Sequence, residues 1–112
     1  MEYDVNGAKI EATDNGYLTD YQSWNEDVAK AIAAEEGIEL TDKHMDVLNY
    51  LRDQYINNGG VQPNDRTILK DMGKIWGASI TSKDMYTLFP NQPSKQAGKI
   101  AGLPESLRKG GY

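Results

Sequence analysis

The feature that most constrains the fold is where the chain is cut by glycine, proline and asparagine. Gly37, Asn58-Gly59-Gly60, Gly77, Pro90 and Gly102 divide residues 23–102 into short segments, each with apolar residues at helical spacing. Such segments bury a stripe only by packing on one another, which predicts a compact helical domain. Ser23-Trp24-Asn25-Glu26 has the spacing of a capping box with Ser23 as N-cap, and the helix it opens runs through Val28, Ala31 and Ile32 to Gly37. Thr41 opens the longest helix, with Met45, Leu48, Leu51 and Tyr55 on its stripe and Val47 and Ile56 widening it. Pro63-Asn64 starts a third, with Ile68, Leu69, Met72, Ile75 and Trp76 on its buried side. Thr81-Ser82-Lys83-Asp84 caps a short fourth, carrying Met85, Leu88 and Phe89. Pro93 pre-organises a fifth, through Ala97 and Ile100 to Gly102.

The first eighteen residues read differently. Tyr3 and Val5 alternate with polar residues, Asn6-Gly7 is a strong two-residue hairpin turn, and Ile10 lies on the return. Asp14-Asn15-Gly16 marks a second turn before Tyr17 and Leu18. The expected architecture is therefore mainly α (α+β by label): a β-hairpin over 1–18 packed on about five helices over 23–101, in one domain of 1–101. Two helices joined across Asn57–Asn64, and another after Gly77–Ile80, leave room for a helix-turn-helix arrangement. Past Leu103 the apolar period stops, and Pro104, Gly110 and Gly111 predict a mobile C-terminal arm over 102–112.

Composition removes most chemistry. The 112 residues hold no cysteine and one histidine, His44. Disulfides, thiolate nucleophiles, iron–sulfur clusters and cysteine or multi-histidine metal sites are excluded, so neither a metal nor a cofactor is expected. No Gly-x-Ser-x-Gly surrounds any serine. His44, one turn before Leu48, is either a general base or a helix-boundary residue bonding a backbone group; no partner nucleophile lies near it in sequence, which favours the second. Trp24, Tyr50, Tyr55, Trp76 and Phe89 fall at helical spacing and read as core. No apolar run reaches the ~18–20 residues of a membrane span. The opening Met1-Glu2-Tyr3-Asp4 lacks the basic and apolar regions of a signal peptide, so a cytoplasmic location is expected.

Charge is uneven. Residues 1–60 carry 13 acids and 4 bases, a net of −9, whereas residues 61–112 carry 4 acids and 8 bases, a net of +4. A basic second half suits an acidic partner, although a solvated surface explains the same numbers. Duplex DNA would call for a basic face from Arg66, Lys70, Lys74 and Lys83. The would-be recognition helix, Ser82 to Leu88, brings one lysine against one aspartate, and the net charge of −5 makes nucleic acid a poor main partner. Lys95, Lys99, Arg108 and Lys109 give the C-terminal stretch its own positive charge.

The run Leu88-Phe89-Pro90-Asn91-Gln92-Pro93-Ser94-Lys95-Gln96-Ala97-Gly98-Lys99-Ile100-Ala101-Gly102-Leu103-Pro104 strongly resembles the C-terminal signature of the DsrC/TusE family. Gly16-Tyr17-Leu18, Trp24, Leu40-Thr41 with His44, Tyr50-Leu51-Arg52 with Tyr55, and Arg66 resemble family positions in the same order. The family comprises the gamma subunit associated with dissimilatory sulfite reductase and the sulfur-relay protein of tRNA thiolation. The resemblance implies a hairpin, a helical domain and a mobile arm whose penultimate cysteine carries sulfur as a persulfide. The DsrC branch adds a second cysteine after Lys-Gln-Ala. Here those two positions fall on Gly111 and Gly98, and the stretch Glu105 to Lys109 is longer than usual. Persulfide transfer needs a thiolate as acceptor and as leaving group, so no catalytic residue is expected. What the resemblance then implies is a scaffold that docks on sulfite reductase or sulfur-relay proteins without carrying sulfur. Its partner contacts would be Lys95, Lys99, Ile100, Leu103, Pro104, Arg108 and Lys109. The sulfur carrier itself and a helix-turn-helix DNA regulator are the alternatives.

Overall fold

A computed structural model describes residues 1–106. Strands β1 (Glu2–Val5) and β2 (Ala8–Glu11) pair antiparallel, with Val5 opposite Ala8. The two residues between them, Asn6 and Gly7, have φ of 53° and 86°, the left-handed pair that a tight hairpin turn requires. Tyr3 and Val5 point inward and their neighbours outward. A second reversal brings Ala12 opposite Leu18 in an isolated bridge, with the Gly16 N–H donating to the Thr13 carbonyl at 2.9 Å.

The helices are α1 (Glu26–Glu35), α2 (Asp42–Asn57), α3 (Asp65–Trp76), α4 (Ser82–Leu88) and α5 (Pro93–Ile100). The cap of α1 corrects the sequence reading. Asn25, not Ser23, is the N-cap, its side chain accepting the Val28 N–H at 2.9 Å. Ser23 ends a separate 3-10 turn, and Trp24 between them is extended. A helix begun at Ser23 would carry Trp24 into its first turn and away from α5, where its indole Nε1 donates to the Ile100 carbonyl at 2.8 Å. At the other end, the Gly37 N–H donates to Ala34 and the Ile38 N–H to Ala33, a Schellman closure that needs the left-handed φ of 74° at Gly37.

Helix α5 is the hub, packed against α1, α2, α3 and α4. Pro93, Gln96, Ala97 and Ile100 form its buried side. Around it Ile32, Leu48, Ile68, Met72, Phe89 and Leu103 are fully buried. Two residues expected on buried stripes are outside: Ile56 is 47% exposed and Ile75 57% exposed. Each sits in the last turn of its helix. At the end of α3 it is Trp76 that turns onto α2, donating from Nε1 to Asp46 at 2.9 Å with the Lys43 ammonium 5.0 Å from its ring, and this leaves Ile75 facing solvent. Among the described residues no helix is long and apolar enough to cross a membrane.

Candidate functional site

The segment that resembles the family signature forms the C-terminus of α4, all of α5 and the turn and exit beyond it. Its start is held by His44. Thr41 caps α2 with His44 at the third helical position, and the two bond reciprocally. Nδ1 of His44 accepts the Thr41 N–H at 3.1 Å, which leaves the ring proton on Nε2, donating to the Leu88 carbonyl at 2.9 Å. The ring stands edge-on to Phe89, with centroids 5.1 Å apart. His44 therefore ties α2 to the end of α4, the boundary role; both ring nitrogens are engaged, and neither is offered to a substrate.

Within α5, the buried Gln96 accepts the Asn91 N–H at 2.9 Å and donates to Glu36 at 3.1 Å. The other oxygen of Glu36 pairs with the Lys99 ammonium at 3.2 Å, both side chains being about one-fifth exposed. Lys99 also lies 5.3 Å from the Tyr17 ring. Burial, then Glu105 and Glu36, push the Tyr17 phenol above its ordinary value; burial, then Glu36 and Glu35, do the same for Tyr3. Lys99 is thus a fixed part of the body, one of whose acids is already its partner.

The end of α5 is clamped. Its last turn closes with the Leu103 N–H on the Gly98 carbonyl and the Gly102 N–H on the Lys99 carbonyl. Arg52 donates to the Ala101 carbonyl at 2.8 Å and to the Tyr21 carbonyl at 3.0 Å, with its guanidinium 4.4 Å from the Trp24 ring centroid. Burial lowers the pKa of Arg52, opposed by Tyr21, and the group remains a cation. Gly102, with a φ of 75°, sits so close to Trp24 that there is no room for a Cβ. The chain then runs out between two loops: the Pro104 carbonyl accepts from Gln62 at 3.1 Å, and Glu105 accepts from Asn15 at 3.1 Å.

This geometry sorts the expected contact residues. Ile100 and Leu103, expected among the partner contacts, are 0% and 1% exposed and pack into the chain's own core. Residues 102–106, the start of the expected mobile arm, are laid against the body through Leu103, Pro104 and Glu105. Pro104 is exposed and Lys95 half-buried. Arg108, Lys109 and Gly111 lie outside the described residues. Gly98 opens onto a small cleft shared with Leu51, Pro63, Lys95, Leu103 and Ser106, and a Cβ built there meets nothing within 4 Å. Arg66, Lys70 and Lys74 are exposed along α3, and Lys83 is exposed on α4. Sequence reading missed the Trp24–Arg52 clamp altogether, since its acceptors are backbone carbonyls. The boundary role expected for His44 is the one found, with Thr41 three residues before it as the cap.

Known proteins share the sequence and the fold of this chain. The profile of the family described as "DsrC like protein" matches residues 4–108. The chain is 44% identical over 105 residues to the Sulfurtransferase TusE homolog of Haemophilus influenzae, covering 93% of this chain and 95% of that one. It is 39% identical over 103 residues to Sulfurtransferase TusE of Escherichia coli, covering 91% and 94%. Among solved structures, the oxidized gamma-subunit of the dissimilatory sulfite reductase (DsrC) from Archaeoglobus fulgidus superposes with a TM-score of 0.88 at 36% identity, over 96% of this chain and 98% of that one. DsrC of Allochromatium vinosum gives 0.87 at 35% identity, over the same shares. With the fold, the signature of α5 and nearly the whole length in common, this chain belongs to the DsrC/TusE family and has no cysteine.

Proposed function

We propose that this chain is a non-catalytic member of the DsrC/TusE family that docks on sulfur-relay or sulfite-reductase proteins without carrying sulfur. The observation that carries the reading is the absence of any thiol from a chain that keeps the rest of the scaffold. Gly98 and Gly111 stand where the family resemblance puts sulfur, and a hydrogen atom as side chain neither accepts nor releases it. Meanwhile α5 retains its buried network and a fixed exit for the arm at Pro104.

Docking through that exit rests on Lys95 and Pro104 beside the cleft and on Arg108 and Lys109 beyond it. Lys99, Ile100 and Leu103 support it from within by fixing the point where the chain leaves the body. A carrier role, which the names of the relatives would suggest, lacks its acceptor atom. A helix-turn-helix DNA reader draws little support from α4, whose Lys83 is offset by Asp84 in the capping box with Thr81.

The test has two arms. Exposure to a persulfide donor should add no sulfur to the intact mass. The purified chain should still bind a sulfur-relay complex or a sulfite reductase from its own source, and lose that binding on Arg108→Glu with Lys109→Glu. A reducible adduct of one sulfur, or no binding to either partner, would overturn the reading.

A further inference from the structure

Helix α3 bears three cations spaced four residues apart, Arg66, Lys70 and Lys74, all exposed. Among the described residues none of them is in an ion pair. The helix also has two acids, but both are turned away. Asp65 accepts the Ser94 N–H at 2.7 Å, and Asp71 accepts the Tyr50 hydroxyl. The outer face of α3 is left purely cationic by these inward bonds. Arg66 sits in the first turn, where the helix dipole disfavours a cation, so helix stability does not account for it.

The stripe edges a groove. The loop after α3 folds back along the helix, with the Ala78 N–H donating to the Gly73 carbonyl at 3.0 Å. Gly73 permits this closeness: a Cβ there would lie 3.1 Å from the Ala78 carbonyl oxygen. Between helix and loop a shallow, open groove has the half-buried Leu69, Gly73 and Ile80 in it, with the exposed Arg66, Lys70 and Lys74 bordering it. The floor is aliphatic and the rim positive.

We propose that this groove binds an extended polypeptide segment of a partner with carboxylates at alternate positions. Four residues of α-helix rise about 6 Å, and alternate residues of an extended chain lie about 6.6 Å apart on one side. Three successive same-side carboxylates therefore fall into register with Arg66, Lys70 and Lys74. The intervening side chains point to the opposite side, toward the loop, where Ile80 supplies the apolar contact. A nucleic-acid strand also spaces its charges regularly, but the floor offers no aromatic platform for stacking bases. The proposal concerns α3 and is independent of docking through the arm.

The test is fluorescence polarisation at low ionic strength with a labelled octapeptide alternating glutamate and leucine. A block peptide of the same composition, a short DNA duplex and a single-stranded RNA serve as comparators. The alternating peptide should bind more tightly than the block peptide, weaken with salt, and bind the Lys70→Glu, Lys74→Glu variant at least about tenfold more weakly. Circular dichroism checks that the variant is folded, and Lys70→Gln with Lys74→Gln gives the same readout without charge reversal. Equal affinity for the two peptides, or binding unchanged in both variants, overturns the proposal. So does the absence of peptide binding, tighter binding of DNA or RNA that the same substitutions abolish, or salt-reversible self-association that they abolish.

Discussion

A Cβ on Gly102 would lie 2.5 Å from Cδ1 of Trp24, and the backbone there already has a φ of 75°. Both facts forbid a side chain, so Gly102→Ala should destabilise the fold by at least about 2 kcal/mol in urea titration, from left-handed strain plus displacement of the indole. Gly98 has open space and an ordinary helical backbone. Gly98→Ala should therefore leave stability unchanged or raise it by about 0.5–1 kcal/mol. Equal effects at the two glycines would refute the clamp.

The next boundary is between Leu103 and Glu105. Leu103 is 1% exposed within the core, so Leu103→Ala should cost about 2–5 kcal/mol. Deleting residues 105–112 removes, among the described residues, an exposed hydrogen bond to Asn15 and whatever Ser106 contributes. The truncated chain should keep its melting temperature to within a few degrees while losing partner affinity. A large loss of stability would make that stretch part of the core.

These two boundaries show where sequence reasoning succeeds and where it stops. Asn6-Gly7, Gly37, Thr41, Gly77 and Pro93 are local instructions, each satisfied within a few residues, and each was legible. The cap of α1 was misplaced because Ser23 and Asn25 are both good caps, and the choice depends on Trp24 reaching Ile100, 76 residues away. Leu103 falls in the expected arm because Gly102 ends the helix and the apolar period stops at Leu103. Its burial comes from the closing turn of α5, which returns the chain to the core. Ile75 reads as core because it shares a face with Ile68, yet Trp76 turns onto α2 to reach Asp46 and leaves Ile75 facing solvent. The candidate site was visible through the signature of α5, whereas the carbonyl acceptors of Arg52 have no sequence signal at all.

His44 closes the gap between α2 and α4. Replacing it by leucine fills the space but leaves the Leu88 carbonyl and the Thr41 N–H without their partner. His44→Leu should cost about 1–3 kcal/mol, and amide exchange should accelerate through Thr41–His44 and the end of α4 ahead of the remaining helices. His44→Gln, able to accept at the third helical position, should recover part of the loss. Exchange rates that rise evenly across the chain would count against the tie.

Tyr50 links α2 to α3 by donating to Asp71; burial first, then that carboxylate, push its phenol well above the ordinary value of 10.0. Tyr3 and Tyr17 are raised as well, chiefly by burial. A raised phenol holds its proton longer in the folded state than in the unfolded one. The resulting stability is complete below the unfolded pKa of about 10 and is lost as pH climbs through the folded values. Chemical denaturation should thus show stability flat from neutral pH to about 9 and falling beyond 10. Tyr50→Phe should flatten that alkaline fall while lowering stability near neutrality, where the bond to Asp71 is gone. An unchanged alkaline slope in the variant would remove Tyr50 from the account.

Cysteine restoration asks whether lost chemistry or lost scaffold separates this chain from a sulfur carrier. The native chain should gain no sulfur from a persulfide donor. Gly111→Cys supplies an acceptor next to Arg108 and Lys109, whose positive charge favours the thiolate, and should gain one sulfur that a reductant removes. Gly98→Cys places a thiol in open space on α5 beside Lys95 and the exit of the arm, without steric cost to the fold. The double variant should form a disulfide on mild oxidation, seen as a mass loss of two hydrogens, if the residues beyond 106 reach back to the cleft. An extended chain covers about 3.3–3.6 Å per residue, so the five residues from 107 to 111 have a reach of about 17 Å from Ser106, which itself lines that cleft. Sulfur uptake by Gly111→Cys with restored delivery to a relay partner would show the scaffold intact and the thiol alone missing. Uptake without delivery would mean that the docking surfaces have diverged too, and the proposal of a partner-binding scaffold would fail with it.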